Sequence, residues 1–523
     1  MNTTARDPAA ARTLWELLAL RAARTPDALA LVQQDPHPPV GDRALTFGAL
    51  RARAERVAAG LRELGVRPGS RVLWQLPTRI ETVVLTLALA RLGAVQSPLV
   101  PSCRDAETEY ALRATGAGFL AVPGVWRGHD HLAAARRLAA GLPEPPLVFT
   151  AYTVLPQGDP GTLPAPPDDG TAVRWIHWTS GTTSAPKGVL HSDSSLLASG
   201  ARLTGALRPT PADVGSIAFP YAHVGGLVYT VMLLLRGFPA LLVERFSLPD
   251  SLGAYRRHGV TLAGGSTVFY TLFLAEQRKH PGRRLLPALR LLAGGGAPRP
   301  PELHEAVGRE LGCGLVHGYG MTEAPVITMG SPDDTPRQLA TTEGRPVPGM
   351  RIRVTGADGT PVPPGETGEI RLRGDTVCRG YLDPRDTAEA FDTDGFLATG
   401  DLGRLTEDGR LVLTGRTKDV ILRKGETISA QEVEQALLRH PAVEAVAVIG
   451  LPDALRGERV CAVVQPAAGA APPTLAGLTA HLRTVGLAVH KFPERLELVD
   501  ALPRDATLGK VRKDALRSRY TRP

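Results

Sequence analysis

Apolar residues recur every third or fourth position from 50 to 64 and Gly65 follows, a period and a stop signal that predict a helix with a glycine C-cap. Residues 71–75 then read as a short strand, 81–92 as a second helix ending at Gly93, and Ala94-Val95 as the start of another strand. This alternation of strand and helix predicts a layered α/β fold. Residues 141–170 are rich in Pro and Gly and read as a long surface connection. It delivers the chain to a strand at Trp175-Ile176-His177-Trp178. Farther on, 352–354 and 369–373 alternate apolar and polar residues between turn signals, so the middle of the chain is strand-rich. The pattern restarts near Lys418 with a strand at 420–422, a helix over 430–439, strands at 446–449 and 460–464 and a helix over 475–483. Such a run predicts a self-contained α+β unit of about a hundred residues.

Composition narrows the class. The chain has 523 residues, 43% hydrophobic and 21% charged, which suits a soluble globular protein with room for a large core. The net charge of +8 comes from scattered Arg, with no run of like charge and no basic-aromatic interleaving, so nucleic acid is not an expected partner. A modest positive balance suits anionic substrates such as nucleotides. Cys103, Cys313, Cys378 and Cys461 lie far apart without metal-type spacing, which favours a reducing compartment over a disulfide scaffold or zinc site. The first residues lack a signal-peptide pattern, and the most apolar stretch, 227–243, is broken by Arg236, Gly237 and Pro239 and is too short between breaks to span a bilayer. A cytoplasmic enzyme with no membrane partner is expected.

The candidate chemistry begins where the strand at 175–178 ends, in Thr179-Ser180-Gly181-Thr182-Thr183-Ser184-Ala185-Pro186-Lys187-Gly188. Small residues let backbone N–H groups converge on phosphate oxygens, hydroxyls add donors, and a lysine adds a point charge, so the loop suits a polyphosphate. It is not a Walker loop, which needs Gly before the lysine and Ser or Thr after it, whereas Pro186 and Gly188 flank Lys187.

Together with Leu45-Thr46-Phe47, Gly65-Val66-Arg67-Pro68-Gly69 and the motifs named next, this loop resembles the adenylate-forming superfamily of acyl-CoA synthetases, peptide-synthetase adenylation domains and luciferases, over nearly the whole chain. The resemblance implies an α/β fold: a large N-terminal layered domain over 1–417 with a β-barrel-like subdomain, and a small mobile C-terminal α+β domain over 418–523. It implies that Thr179, Ser180, Gly181, Thr182, Thr183 and Lys187 hold ATP phosphates, Ser184 standing where the family most often has glycine. Gly294-Gly295-Gly296-Ala297-Pro298 is similar to the segment lining one face of adenine. Gly318-Tyr319-Gly320-Met321-Thr322-Glu323 resembles the segment that stacks Tyr319 on adenine, places Thr322 at the α-phosphate and gives Glu323 to Mg²⁺. Asp401, in Thr399-Gly400-Asp401-Leu402, matches the aspartate that accepts from both ribose hydroxyls, and Arg416 lies near that ribose. Lys418 occupies the hinge position, Lys424-Gly425 the thiol tunnel, and Lys510, after Pro503-Arg504-Asp505, the place of the catalytic lysine.

The resemblance implies attack of a carboxylate on the α-phosphorus, with charge neutralised by Lys187, Mg²⁺ at Glu323, and Lys510. The acid pocket is expected at His223, Val224 and Gly225, with Val268, Gly294, Gly295 and Met321 around it and His223 as gate or carboxylate neighbour. The glycines and Val268 leave room for an apolar body, and no aspartate marks an α-amino acid, which favours a small alkyl or aryl acid. ATP and Mg²⁺ are the expected cofactors and CoA the expected acceptor. A phosphopantetheinyl carrier protein, an amine acceptor, an unusual anion such as nitrite, and a non-catalytic nucleotide-binding module are the alternatives. A monomer or homodimer is expected.

Overall fold

The computed structural model describes residues 6–34, 42–179, 186–295, 301–423, 426–453, 456–504 and 510–521. The chain forms two compact units, one of Met1–Ser180, Pro186–Met350 and Arg373–Glu389, the other holding Arg351–Leu372 and Ala390–Pro523.

The first unit is layered α/β. Its larger sheet has nine strands among the described residues, and Gly215–Ile217, Leu262–Gly265, Leu291–Gly295 and the start of Gly314–Met321 run parallel side by side within it. These strands are short apolar runs buried on both faces, as a sheet covered by helices on both sides requires. The second sheet has six strands among the described residues, with Arg71–Gln75 and Val95–Leu99 parallel at its centre and Val173–Trp178 beside Val95–Leu99. The connection expected over 141–170 contains one of its strands, Leu147–Thr150, paired parallel with Phe119–Val122. The helix Ile80–Leu92 is buried at every residue, Glu81 and Arg91 included, and Gly93 ends it at φ 69°.

In the second unit, Arg351–Thr355, Gly368–Arg373, Leu397–Leu405 and Leu411–Arg416 form a four-stranded sheet among the described residues, paired in chain order. A five-stranded sheet follows, its core built from Ile421, Ile428, Val448, Val460, Val464 and Leu478 under the helices Ala430–Leu437 and Leu475–Thr484. All four cysteines are free, and among the described residues no helix is long and apolar enough to cross a membrane.

Candidate active site

Val173–Trp178 turns back antiparallel into Gly188–Ser192, and Thr179 closes the mouth of that hairpin. Its N–H donates to the Lys187 carbonyl and its Oγ1 accepts from the Lys187 N–H, both at 3.1 Å. Ser180, Gly181, Thr182, Thr183 and Ser184 lie outside the described residues. Lys187 Nζ sits 2.7 Å from Asp386 Oδ1 and 5.3 Å from the centre of the Tyr381 ring, so an incoming anion competes with Asp386 for the ammonium.

The segment around Tyr381 lies against the returning strand: Leu190 N donates to the Gly380 carbonyl, and Leu382 N to the Gly188 carbonyl. That pairing aims the Tyr381 hydroxyl at Glu323, to whose Oε1 it donates at 2.9 Å. Burial first, then the Glu323 charge, push the Tyr381 phenol well above its ordinary range, so it stays a donor. Thr322 and Glu323 form the two-residue turn between Gly314–Met321 and Ala324–Met329. His191, fully buried, holds the turn from below: its Nε2 donates to the Thr322 carbonyl at 2.8 Å, and its Nδ1 lies 3.0 Å from Ser195 Oγ. Burial lowers the His191 pKa to about 4, so the ring is neutral.

The acid-pocket candidates share one edge. The four parallel strands end in Phe219 to His223, Gly265-Ser266, Gly294-Gly295 and Tyr319 to Glu323, which puts these segments together at the carboxyl edge of the sheet, the usual ligand edge of such sheets. His223 is the N-cap residue of the helix Val224–Arg236, whose first turn holds Val224 and Gly225. Val268 lies in the first turn of the helix Thr267–Arg278 and is 42% exposed. A Cβ on Gly295 would stand 2.4 Å from the Gly318 carbonyl oxygen, so only glycine keeps these strand ends in contact. Tyr319 is buried, while Gly320 and Met321 are half-buried at the end of their strand. Gly296, Ala297 and Pro298 lie outside the described residues.

The second unit carries the other candidates. Asp401 and Arg416 are register partners on adjacent strands, and Arg416 Nε lies 2.9 Å from Asp401 Oδ1. The Asp401 N–H is held by Thr399 Oγ1 at 3.0 Å. Lys418 lies in the single turn Thr417–Asp419, its pKa lowered by burial and then by Arg416, while the next residue, Asp419, binds Arg517 at 2.8 Å. Lys510 is half-buried and precedes a bridge between Arg504 and Val511. Lys424 and Gly425 lie outside the described residues.

Residues 18–382 match the family model described as AMP-binding enzyme, and 432–509 match that of the AMP-binding enzyme C-terminal domain. The chain belongs to the AMP-binding enzyme family. Within this adenylate-forming superfamily, it is 36% identical to a salicyl-AMP ligase / salicyl-S-ArCP synthetase of Mycobacterium tuberculosis, over 97% of this chain and 90% of that protein. It is 34% identical to a sulfoacetate–CoA ligase of Cupriavidus necator, over 97% and 98% of the two chains. In structure it resembles ATP-bound MatB from Rhodopseudomonas palustris, with a TM-score of 0.85 and 29% identity over 97% of this chain and 99% of the other. As a member of the AMP-binding family the chain is an adenylate-forming enzyme.

Sequence reading missed Tyr381, Asp386 and His191. Each acts through a partner distant in the chain, as in the 131-residue separation of His191 and Thr322. The available signals were slight: a histidine four residues past Lys187, and a tyrosine between Gly380 and Pro384.

Proposed function

We propose that this chain is an ATP- and Mg²⁺-dependent ligase that adenylates a small alkyl or aryl carboxylic acid and then transfers the acyl group to a thiol, most simply CoA. The observation that carries this reading is the link from Lys187 through Tyr381 to Glu323, beside a Thr322 turn held by His191. The Lys187 cation of the hairpin in one sheet thus lies near a carboxylate and a hydroxyl-bearing turn of the other.

In the first step a carboxylate oxygen attacks the α-phosphorus of ATP, the bond from that phosphorus to the oxygen bridging it to the β-phosphorus breaks, and pyrophosphate leaves with the electron pair. Lys187, released from Asp386, takes up charge on the outer phosphates, Thr322 orients the α-phosphate, and Asp401 and Arg416 receive the ribose. Lys510 bridges the acid and the α-phosphate as their charges meet. A lone carboxylate together with the substrate's own phosphates is a donor set that suits Mg²⁺. Glu323 would hold Mg²⁺, which would supply charge neutralisation when bound, and the Tyr381 hydroxyl orients that carboxylate. In the second step a thiolate attacks the acyl carbon and AMP leaves. Rotation about Lys418 exchanges Lys510 for Lys424-Gly425 between the steps. The domain boundary of this reading lies at 417/418.

Loading of a phosphopantetheinyl carrier protein is the second reading. It is favoured by the 36% identity to a salicyl-S-ArCP synthetase. The test is a panel of alkyl and aryl acids with ATP and Mg²⁺, followed by mass spectrometry for AMP and pyrophosphate, with CoA, a carrier protein or neither. AMP with one class of acid and a thioester only with CoA is expected. A thioester only on the carrier favours the second reading, and absence of AMP with every acid and with nitrite overturns both.

A further inference from the structure

The last helix, Lys513–Thr521, carries two cations, Lys513 and Arg517, that the reaction just described does not use. Leu516 fixes the helix to the five-stranded sheet, buried among Ala447, Ile449, Leu451 and Val463. Lys513 and Arg517 are four positions apart and so share one face, and both reach the turn Thr417–Asp419. Arg517 Nη2 donates to Asp419 Oδ1 at 2.8 Å and to the Lys418 carbonyl at 3.4 Å. Lys513 Nζ lies 3.9 Å from Asp419 Oδ2 and 2.7 Å from Glu434 Oε1, which also accepts from the Val448 N–H at 2.7 Å. The side chains of Lys513, Asp419 and Arg517 are only 16%, 20% and 28% exposed, so solvent screens this cluster less than it screens a surface pair. Burial alone would raise the Asp419 pKa, but Lys513 and Arg517 outweigh it and bring the carboxyl below its ordinary range, so it is charged.

The place of the cluster matters more than its strength. The peptide joining Lys418 to Asp419 is planar, so the Lys418 carbonyl moves together with Asp419, beyond the two soft dihedrals of Lys418. Arg517 holds that carbonyl and the Asp419 carboxylate at once, and thereby fastens the first peptide after Lys418 to the helix. The same helix begins three residues after Lys510, in a stretch where the Arg512 N–H donates to the Pro503 carbonyl at 2.8 Å and Arg504 pairs with Val511. A short, hydrogen-bonded route therefore joins the peptide after Lys418 to the lysine loop. Without the cluster, a change in the Lys418 dihedrals would be absorbed in part by bending at Asp419 and Val420.

We infer that Arg517 and Lys513 are positioning residues that weld the peptide after Lys418 to the last helix, so that rotation about Lys418 carries Lys510 within one rigid body. The inference rests on the reading of Lys418 as the hinge and of Lys510 as the lysine that bridges the acid and the α-phosphate. Arg517 suits this place because its planar fork spans two acceptors, where a lysine offers a single point charge.

Coupling to Lys510 separates this from a packing role. In acid-dependent pyrophosphate exchange, Arg517→Ala should lower kcat by about ten-fold with the ATP KM within about two-fold. Arg517→Lys, which keeps the charge beside Asp419, should stay within about three-fold of the unaltered chain. In a Lys510→Ala background, Arg517→Ala should add less than about two-fold, because its effect passes through Lys510, whereas a general loss of stability would act in either background. An undiminished kcat in Arg517→Ala, or a full additional loss in the Lys510→Ala background, overturns the inference. If Lys510→Ala itself exchanges pyrophosphate almost normally, the function reading fails at that residue, and the weld is then decided by hydrogen exchange of the full chain read by mass spectrometry. Arg517→Ala should speed exchange over residues 417–423 by about ten-fold and leave the strand Val443–Asp453 within about two-fold. Unchanged exchange over 417–423, or an equal rise in both segments, overturns the inference.

Discussion

At the amino edge of the parallel strands of the nine-stranded sheet, Asp213 accepts from Arg290 at 2.7 and 2.8 Å, from Thr261 Oγ1 at 2.7 Å and from the Thr210 N–H at 2.8 Å. Arg290 and Thr261 immediately precede two neighbouring strands, Asp213 itself lies two residues before a third, Gly215–Ile217, and it binds the three starts together. At the carboxyl edge of the same strands, paired glycines bring the backbones close, Val268 lies 42% exposed, and the polar groups of the Thr322-Glu323 turn are held by residues from elsewhere in the chain. One edge therefore satisfies its charges among its own strand starts, and the other has its polar turn held by residues from elsewhere in the chain. Strand connectivity alone does not create that division, since both edges are built from loops. It follows from which loops carry complete ion pairs.

The sharpest way to break this comparison is to show that the carboxyl edge needs nothing beyond itself. We expect the reverse. Lys510→Ala, in the other unit, should depress acid-dependent pyrophosphate exchange a few hundred-fold or more, about 3 kcal/mol or more of transition-state stabilisation, and near-normal exchange would remove Lys510 from the chemistry. Next in size is Glu323→Gln, which keeps an acceptor for the Tyr381 hydroxyl but loses the charge. Exchange should fall by about a hundred-fold while thermal unfolding is nearly unchanged. A large drop in melting temperature would instead make Glu323 part of the structural framework and erase the distinction between the edges. Tyr381→Phe should have a smaller effect, about ten-fold, because the carboxylate survives and only its orienting hydrogen bond goes. The loss should shrink as Mg²⁺ is raised in a titration of exchange activity. A loss independent of Mg²⁺ would mean that the hydroxyl acts elsewhere.

How much of this was legible beforehand depends on the range of the interaction. The helix at 80–92 and its stop at Gly93 were readable because they are local, set by apolar content and one left-handed residue. The strands of the second unit were readable for the same reason, since Val460 and Val464 sit in an apolar run bounded by turn residues. Leu147–Thr150 was hidden because four residues at the edge of a sheet are too few to outweigh the Pro and Gly around them. The order of the motifs identified the family. The pairing of Lys187 with Asp386 and of Tyr381 with Glu323 had no local signature, because each depends on the segment around Tyr381 folding back against Gly188–Ser192. No period in a sequence encodes that return.

The smallest effect on activity should come from the amino edge. Asp213→Asn leaves the shape of the network but removes its charge, and it should reduce unfolding free energy by about 1–2 kcal/mol while exchange activity stays within about two-fold. The pH dependence has a definite sign. Burial alone would raise the Asp213 pKa, but the hydrogen bonds from Arg290, Thr210 and Thr261 outweigh it and bring the carboxyl down to about 2 from an ordinary value of 3.8. A carboxyl whose folded pKa is depressed binds fewer protons in the folded state than in the unfolded one. Its stabilisation is therefore complete above the unfolded pKa and disappears as pH falls through the folded pKa. For Asp213 the window runs from about pH 4 down to about pH 2. In denaturant melts the difference between the unaltered chain and Asp213→Asn should be constant above that window and narrow within it. A difference that persists undiminished at pH 2 would mean that the carboxylate charge is not what binds the three strand starts together.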